Sequence, residues 1–221
     1  MAPLQAVTMP SEVWRQHYAT AAGARWWPCE ELVRAMSRHD LSRAAVLEVG
    51  CGNGSNLWFL AEQAALVVGI DLIRQPLTMA RTHLAQRGRA AGLAQADLPH
   101  LPLKAGAMSG VVDVMTSQHV DWIDHAHVYA EYHRVLAPGG WLFLYHLIDD
   151  TSLRGSRSIG RFLYEDVPLF PAAGPICVPP AGELLQVVEA AGFALKDVRR
   201  LTRQYPDGSS AVYQVIEGEA V

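Results

Sequence analysis

Five short apolar runs recur along the chain, each bounded by glycine or an acid: AAVLEVG (44–50), ALVVGID (65–71), GLAQAD (92–97), GVVDVMT (110–116) and GWLFLYHLI (140–148). They are short and rich in Val, Leu and Ile on neighbouring positions, the pattern of strands buried on both faces. Between them, SNLWFLAEQA (55–64), RQPLTMARTHLAQRG (74–88) and DHAHVYAEYHRVLAPGG (124–140) carry apolar residues at helical spacing, the last stopped by Pro138 and the glycines after it. Strand and helix in alternation predict an α/β fold, a doubly wound and mostly parallel sheet with right-handed crossover helices.

The pattern changes after residue 150. Residues 151–180 hold Gly155, Gly160, Pro168, Pro171, Gly174, Pro175, Pro179 and Pro180, too much punctuation for one regular element, and read as an insertion. AGELLQVVEAAGF (181–193) predicts a helix ending at Gly192. FALKDVRRLTRQY (193–205) and AVYQVIEGE (211–219) then flank a PDGSS turn, as in an antiparallel C-terminal hairpin that adds a strand at the edge of the sheet. Residues 1–40 form a helical prelude to a main domain over 41–221, and Trp14, Tyr18, Trp26 and Trp27 concentrate aromatic surface there. They suit a lid, or else an anchor that packs the prelude on the sheet.

Composition narrows the classes. With 221 residues, half of them hydrophobic, the chain can bury one sizeable core. A net charge of -4 and a pI near 6.1 argue against a broad basic surface for nucleic acid. Neither a signal peptide nor an apolar run of membrane-spanning length is expected. Cys29, Cys51 and Cys177 are odd in number and lack metal-ligand spacing, which suits a reducing compartment. The expectation is a cytoplasmic protein with a small-molecule partner and no membrane segment.

VLEVGCGNGSN (46–56) carries the chemistry. Gly50, Gly52 and Gly54 let the backbone turn sharply after the first strand and approach a ligand closely. In an open parallel sheet that turn lies at the ligand crevice. A dinucleotide fingerprint would continue to a Gly or Ala where Ser55 stands, and no Gly-Lys-Ser/Thr follows for a P-loop. Glu48 would repel a pyrophosphate but attract an ammonium or sulfonium. Asp71, ending the second strand, can accept hydrogen bonds from both ribose hydroxyls. A nucleoside with a cationic arm is S-adenosylmethionine. Read singly, Glu48 is a helix-facing or solvated acid and the glycines a plain tight turn.

At these residues the chain resembles the class I S-adenosylmethionine-dependent methyltransferases, over residues 44–148. VLEVGCGNG is similar to their glycine motif, VVGIDLI to their acidic ribose-binding strand, LAQADLPHLPL to their third-strand segment and HRVLAPGGWLFL to the helix-turn-strand that follows. The resemblance implies a seven-stranded Rossmann-like sheet with a reversed final hairpin, and places Asp97 with Leu98 at the adenine amino group. The termini look similar to a bacterial subgroup acting on small molecules. The cofactor-binding candidates are then Arg25, Glu48, Gly50, Cys51, Gly52, Asn53, Gly54, Asn56, Asp71, Leu72, Asp97, Leu98, Ser117 and Gln118. Arg25 is included as a cation able to pair with the methionine carboxylate, its other reading being a solvated surface arginine.

Methyl transfer from a sulfonium needs alignment and exclusion of water more than side-chain chemistry. An oxygen acceptor of high pKa would add the need for a base. The end of the fourth strand, VMTSQHVDW, faces the transferable methyl in this family, which makes His119 the first catalytic candidate and Asp121 the second. Their alternatives are a packing histidine at a strand end and a helix cap. The segment lacks the Asn/Asp-Pro-Pro-aromatic sequence of enzymes that methylate exocyclic base amines. His119, His125, His127 and His133 complete no zinc spacing, so no metal is expected and a solvated histidine-rich helix is. Two rival readings remain: a non-catalytic S-adenosylmethionine-binding regulatory or interaction module, and an RNA-modifying methyltransferase.

Overall fold

A computed structural model describes residues 11–19, 27–171 and 173–221. Two helices, α1 (Ser11–Ala19) and α2 (Glu30–Met36), precede an alternating series: β1 (Ala45–Val49), α3 (Leu57–Gln63), β2 (Leu66–Asp71), α4 (Arg74–Gln86), β3 (Gly92–Gln95), β4 (Met108–Val114), α5 (His125–Val135) and β5 (Leu136–Leu147). Three short strands, β6 (Arg157–Gly160), β7 (Leu163–Glu165) and β8 (Ile176–Cys177), lead to α6 (Ala181–Ala190), β9 (Phe193–Gln204) and β10 (Ser210–Ala220). The main sheet has seven strands in the order β3-β2-β1-β4-β5-β10-β9. Its first five are parallel, and β10 runs antiparallel to both neighbours.

Buried strands explain the runs of consecutive apolar residues. Side chains alternate between faces along a strand, so Val46, Val112 and Phe143 join Leu32, Leu57 and Leu84 in one core layer. Leu47, Val111 and Leu142 join Tyr129, Tyr132 and Val188 in the other. Each fully buried leucine contributes roughly 1.5–3 kcal/mol relative to exposure. The two layers clamp the strands so that their C-terminal ends, β1 and β4 above all, are fixed relative to each other.

Three sequence expectations change in detail. The helix expected over 124–140 stops at Val135, because Leu136 is extended and pairs with Met108; Pro138 and Gly139 (φ +74) lie inside the β5 span at an irregularity in its ladder. The C-terminal hairpin is present, but its antiparallel strand β10 sits inside the sheet and β9 takes the edge. Residues 151–180 hold no long element, yet β6, β7 and β8 form a small antiparallel sheet of their own.

The crevice follows from the strand order. The chain proceeds outward from β1 through β2 to β3, then returns to the other side of β1 for β4. Connections therefore leave β1 and β4 in opposite directions, opening a space above their C-terminal ends.

Candidate active site

A cavity of about 680 Å³ occupies that space. Its floor is the turn after β1. Cys51 N–H donates to the Ile70 carbonyl at 2.8 Å, and Gly52 N–H donates to Asp71 Oδ2 at 2.9 Å, so the turn is pinned to the end of β2. Asp71 Oδ1 accepts a second bond, from Ile73 N–H at 2.9 Å. Burial raises the Asp71 carboxyl above its usual range, partly opposed by these two amides. Thr116 closes the β4 side: its hydroxyl donates to the Val49 carbonyl at 3.0 Å, and its Cγ2 would lie 2.1 Å from a Cβ on Gly50. No other residue type fits at position 50, since its φ of +58° is also left-handed.

Glu48 is buried, with Oε1 accepting from Asn56 Nδ2 at 2.6 Å. Asn56 Oδ1 accepts in turn from Cys29 N–H at 2.8 Å, so this carboxylate is tied to the start of α2. Asp97 bonds the Leu98 amide at 2.9 Å and lines the same cavity.

The far end is built from three segments. After β4 come two 3-10 turns, Ser117–His119 and Trp122–Asp124. Asp113, fully buried at the end of β4, accepts from Thr116 N–H, Ser117 N–H and Tyr132 Oη, and so fixes the first turn; burial raises its carboxyl despite those bonds. His119 projects from that turn with its Nδ1 3.1 Å from the Pro175 carbonyl. A carbonyl only accepts, which assigns the proton to Nδ1 and leaves Nε2 as the acceptor, 3.3 Å from Gln118 Nε2. Desolvation, with a smaller contribution from His17, lowers His119 to about 4. The ring is neutral at physiological pH. Trp14 of α1 packs edge-on against it at 4.6 Å, and Phe170 and Ala173 close the cavity from the insertion.

Residues 46–140 match the family model described as a methyltransferase domain. Over these residues the chain is similar to S-adenosylmethionine-dependent methyltransferases. Ubiquinone biosynthesis O-methyltransferase of Pseudomonas paraeruginosa is 33% identical to this chain over 140 residues, 56% of this chain and 58% of that protein. A probable S-adenosylmethionine-dependent methyltransferase of Mycolicibacterium smegmatis is 33% identical over 172 residues, 78% of this chain and 60% of that one. The chain thus spans 58–60% of the length of these relatives. Among solved structures, Burkholderia thailandensis 1,6-didemethyltoxoflavin-N1-methyltransferase, with 1,6-didemethyltoxoflavin and S-adenosylhomocysteine bound, has a TM-score of 0.73 at 22% identity, covering 100% of this chain and 93% of that one. A methyltransferase of Methanosarcina mazei has a TM-score of 0.71 at 19% identity, covering 88% and 99%. These likenesses show the fold.

Glu48, Gly50, Cys51, Gly52, Asn53, Asn56, Asp71, Leu72, Asp97, Leu98, Gln118, His119 and Asp121 all line the one cavity. Two candidates stand apart from its wall. Gly54 (φ +80) packs against α4, where a Cβ would lie 3.0 Å from that of Ala80. Ser117 is sealed below the turn, bonded to Asp113 and 3.3 Å from Tyr129 Oη. Arg25 and Trp26 lie outside the described residues, and Trp27 is exposed. The solvated histidine helix holds for His127 and fails for His125, which is fully buried with Nε2 3.3 Å from that of His146. His17, Thr116 and Asp124 were not singled out as site residues by the sequence; only the crossing of α1 and the two strand ends brings them there. Among the described residues no cluster of His, Cys, Asp or Glu is arranged to hold a metal ion, and no helix is long and apolar enough to cross a membrane.

Proposed function

We propose that this protein transfers a methyl group to a small-molecule acceptor held at the His119 end of the cavity. The observation that carries the reading is one continuous cavity joining the glycine turn and the carboxylates of Glu48, Asp71 and Asp97 to the aromatic end formed by Trp14, His119 and Phe170. The residues present fit the family's cofactor, S-adenosylmethionine. Gly50 and Gly52 keep the turn bare of Cβ atoms, and the described lining residues include carboxylates but neither Lys nor Arg, a wall suited to a sulfonium and adverse to a pyrophosphate. Asp71 would hold the ribose, Asp97 and Leu98 the adenine edge, and the 50–53 turn with Glu48 the amino-acid arm. When bound, that group supplies a methyl carbon on a good leaving group.

The chain's own residues then have modest tasks. Trp14, Phe170 and Val120 exclude water from the acceptor end. His119 Nε2 accepts a hydrogen bond from the acceptor's O–H or N–H in place of Gln118, aligning that atom. Lowered to about 4, the imidazole orients an acceptor proton and takes it up only as the acceptor becomes acidic during transfer. The Pseudomonas relative's name specifies an oxygen acceptor in ubiquinone biosynthesis, which supports a small-molecule acceptor here without naming it.

Calorimetry with S-adenosylmethionine, S-adenosylhomocysteine and NAD tests the cofactor, and release of S-adenosylhomocysteine across a panel of phenols, amines and heteroaromatics tests the transfer. Binding of NAD instead of the two sulfur nucleosides overturns the reading. Binding without turnover on any acceptor leaves a non-catalytic module as the account.

A further inference from the structure

Four described residues other than glycine have a left-handed φ: Met115 (+62°), Asp150, Phe162 and Asp166. Met115, directly after β4, is the one of these that lines the cavity. Its conformation reverses the direction that a pleated strand would give its side chain. Val111 and Asp113 face the layer that holds Tyr132, and Val112 and Val114 face the opposite layer. Strict alternation would return Met115 to the Tyr132 side. Instead it lies on the side of Tyr145 and Leu147, packed against the cluster of Leu147, Val167, Ile176 and Tyr213. Val114, Met115 and Thr116 consequently all line the cavity, three successive positions that a regular strand would divide between two faces.

Three bonds hold this turn. Met115 N–H donates to the Tyr145 carbonyl at 2.8 Å, Thr116 N–H to Asp113 Oδ1 at 2.9 Å and the Thr116 hydroxyl to the Val49 carbonyl at 3.0 Å. Glycine would adopt the same φ without strain. A long side chain there is held against its own backbone preference, and strain of this kind concentrates at ligand sites. The reversal gives Met115 new neighbours: Phe170 and Ala173 of the insertion pack against the same cluster and line the same cavity. Met115 is therefore where the end of β4 meets the insertion at the cavity wall.

Resting on the methyl-transfer reading above, we propose that Met115 is a specificity-determining residue, whose side chain forms with Phe170 and Ala173 the wall that limits the size of the acceptor. The acceptor this wall fits is a compact molecule whose apolar body rests on a flexible, polarisable thioether. A methionine that only packs the insertion onto the sheet would affect stability and leave acceptor size without influence.

The test is calorimetric binding of phenol and 4-phenylphenol to the S-adenosylhomocysteine-loaded protein. Met115→Gly opens the wall and should raise the affinity for 4-phenylphenol relative to phenol roughly tenfold over the wild-type ratio. Met115→Leu, of similar volume, should keep that ratio within about twofold. Met115→Ala should shift the ratio as glycine does, and should melt below the glycine variant because alanine keeps the left-handed strain. Either of these two small variants reads the ratio if the other does not fold. An unchanged ratio in the small variants, a leucine variant that shifts it as far as they do, a glycine variant that melts no higher than the alanine one, or no binding of either phenol overturns the proposal. Failure of S-adenosylhomocysteine itself to bind is a different result and overturns the methyl-transfer reading.

Discussion

Tyr18 sets its hydroxyl over the backbone of Gly52: a methyl group on that glycine would lie 2.5 Å from the tyrosine oxygen. Helix α1 therefore crosses the glycine turn at van der Waals range, held also by Gln75 Nε2 donating to the Tyr18 carbonyl at 3.1 Å. The crossing puts Trp14, His17 and Tyr18 in the cavity wall.

If α1 is a cover for the cavity, its amides should gain protection from hydrogen exchange when S-adenosylhomocysteine binds. Equal protection of residues 11–19 with and without the ligand would show instead that the helix is simply packed there.

Gly52→Ala combines a left-handed φ of +52° with the contact to Tyr18. Strain of about 1–2 kcal/mol is expected from the backbone alone, seen as a lower melting temperature. Cofactor affinity should fall further than stability does, because α1 must also shift. Unchanged affinity measured by calorimetry would remove Gly52 from the binding surface.

Asp71→Ala removes the acceptor for both Gly52 N–H and Ile73 N–H as well as any ribose contact. Each charge-assisted bond lost weakens cofactor binding by roughly 1.5–3 kcal/mol. Asp71→Asn keeps one acceptor oxygen, and its calorimetric loss should be smaller.

His119→Ala should lower turnover roughly 100-fold if the imidazole works as a base, with cofactor affinity little changed. Since the ring is lowered to about 4, wild-type turnover should not track an imidazole titration between pH 6 and 8. A turnover profile with an inflection near 6.5 that vanishes in His119→Gln would contradict the burial described here. If His119→Gln retains most of the rate, the residue aligns the acceptor and does not move its proton.

Acid should destabilise the fold before it reaches the usual carboxylate range. His119 and His125 are lowered from 6.5 to about 4 and His146 to about 3, each chiefly by burial. Protons thus bind the unfolded chain first, so the stability these rings contribute is complete above pH 6.5 and is lost as pH falls toward 4. The slope is about 1.4 kcal/mol per pH unit for each proton taken up. Asp71 and Asp113, both raised, oppose this: their ionisation costs stability at neutral pH, and acid relieves that cost. Melting temperatures from pH 7.5 to 4.5 should fall, and replacing both His125 and His146 by Gln should flatten the fall.

The parallel core was legible because strands buried on both faces write themselves as uninterrupted apolar runs: each of the five runs quoted from the sequence overlaps a strand of the main sheet. Gly50, Glu48 and Asp71 were legible too, because their chemistry is local to a strand end. What escaped depends on contacts between distant residues. Thr116 acquires its place from Val49, 67 positions away, and His125 its burial from His146 on another element. The strands β6 to β8, two to four residues long, are too short to show a period. The inward position of β10 was missed because a hairpin's sequence says which strands pair with each other and nothing of which one meets the sheet.

That inward position reverses the order of assembly relative to the order of synthesis. Strand β9 leaves the ribosome before β10, yet β9 touches the sheet only through β10, which pairs with β5 over Tyr213–Glu219. Until residues 210–220 exist, the Trp141–Leu147 stretch of β5 is an open strand edge, and β9 is a twelve-residue ribbon with no partner. Both are exposed to pairing with other chains in that interval. The charges that β9 carries, Lys196, Asp197, Arg199, Arg200 and Arg203, oppose such pairing in a nascent chain as much as in a finished one.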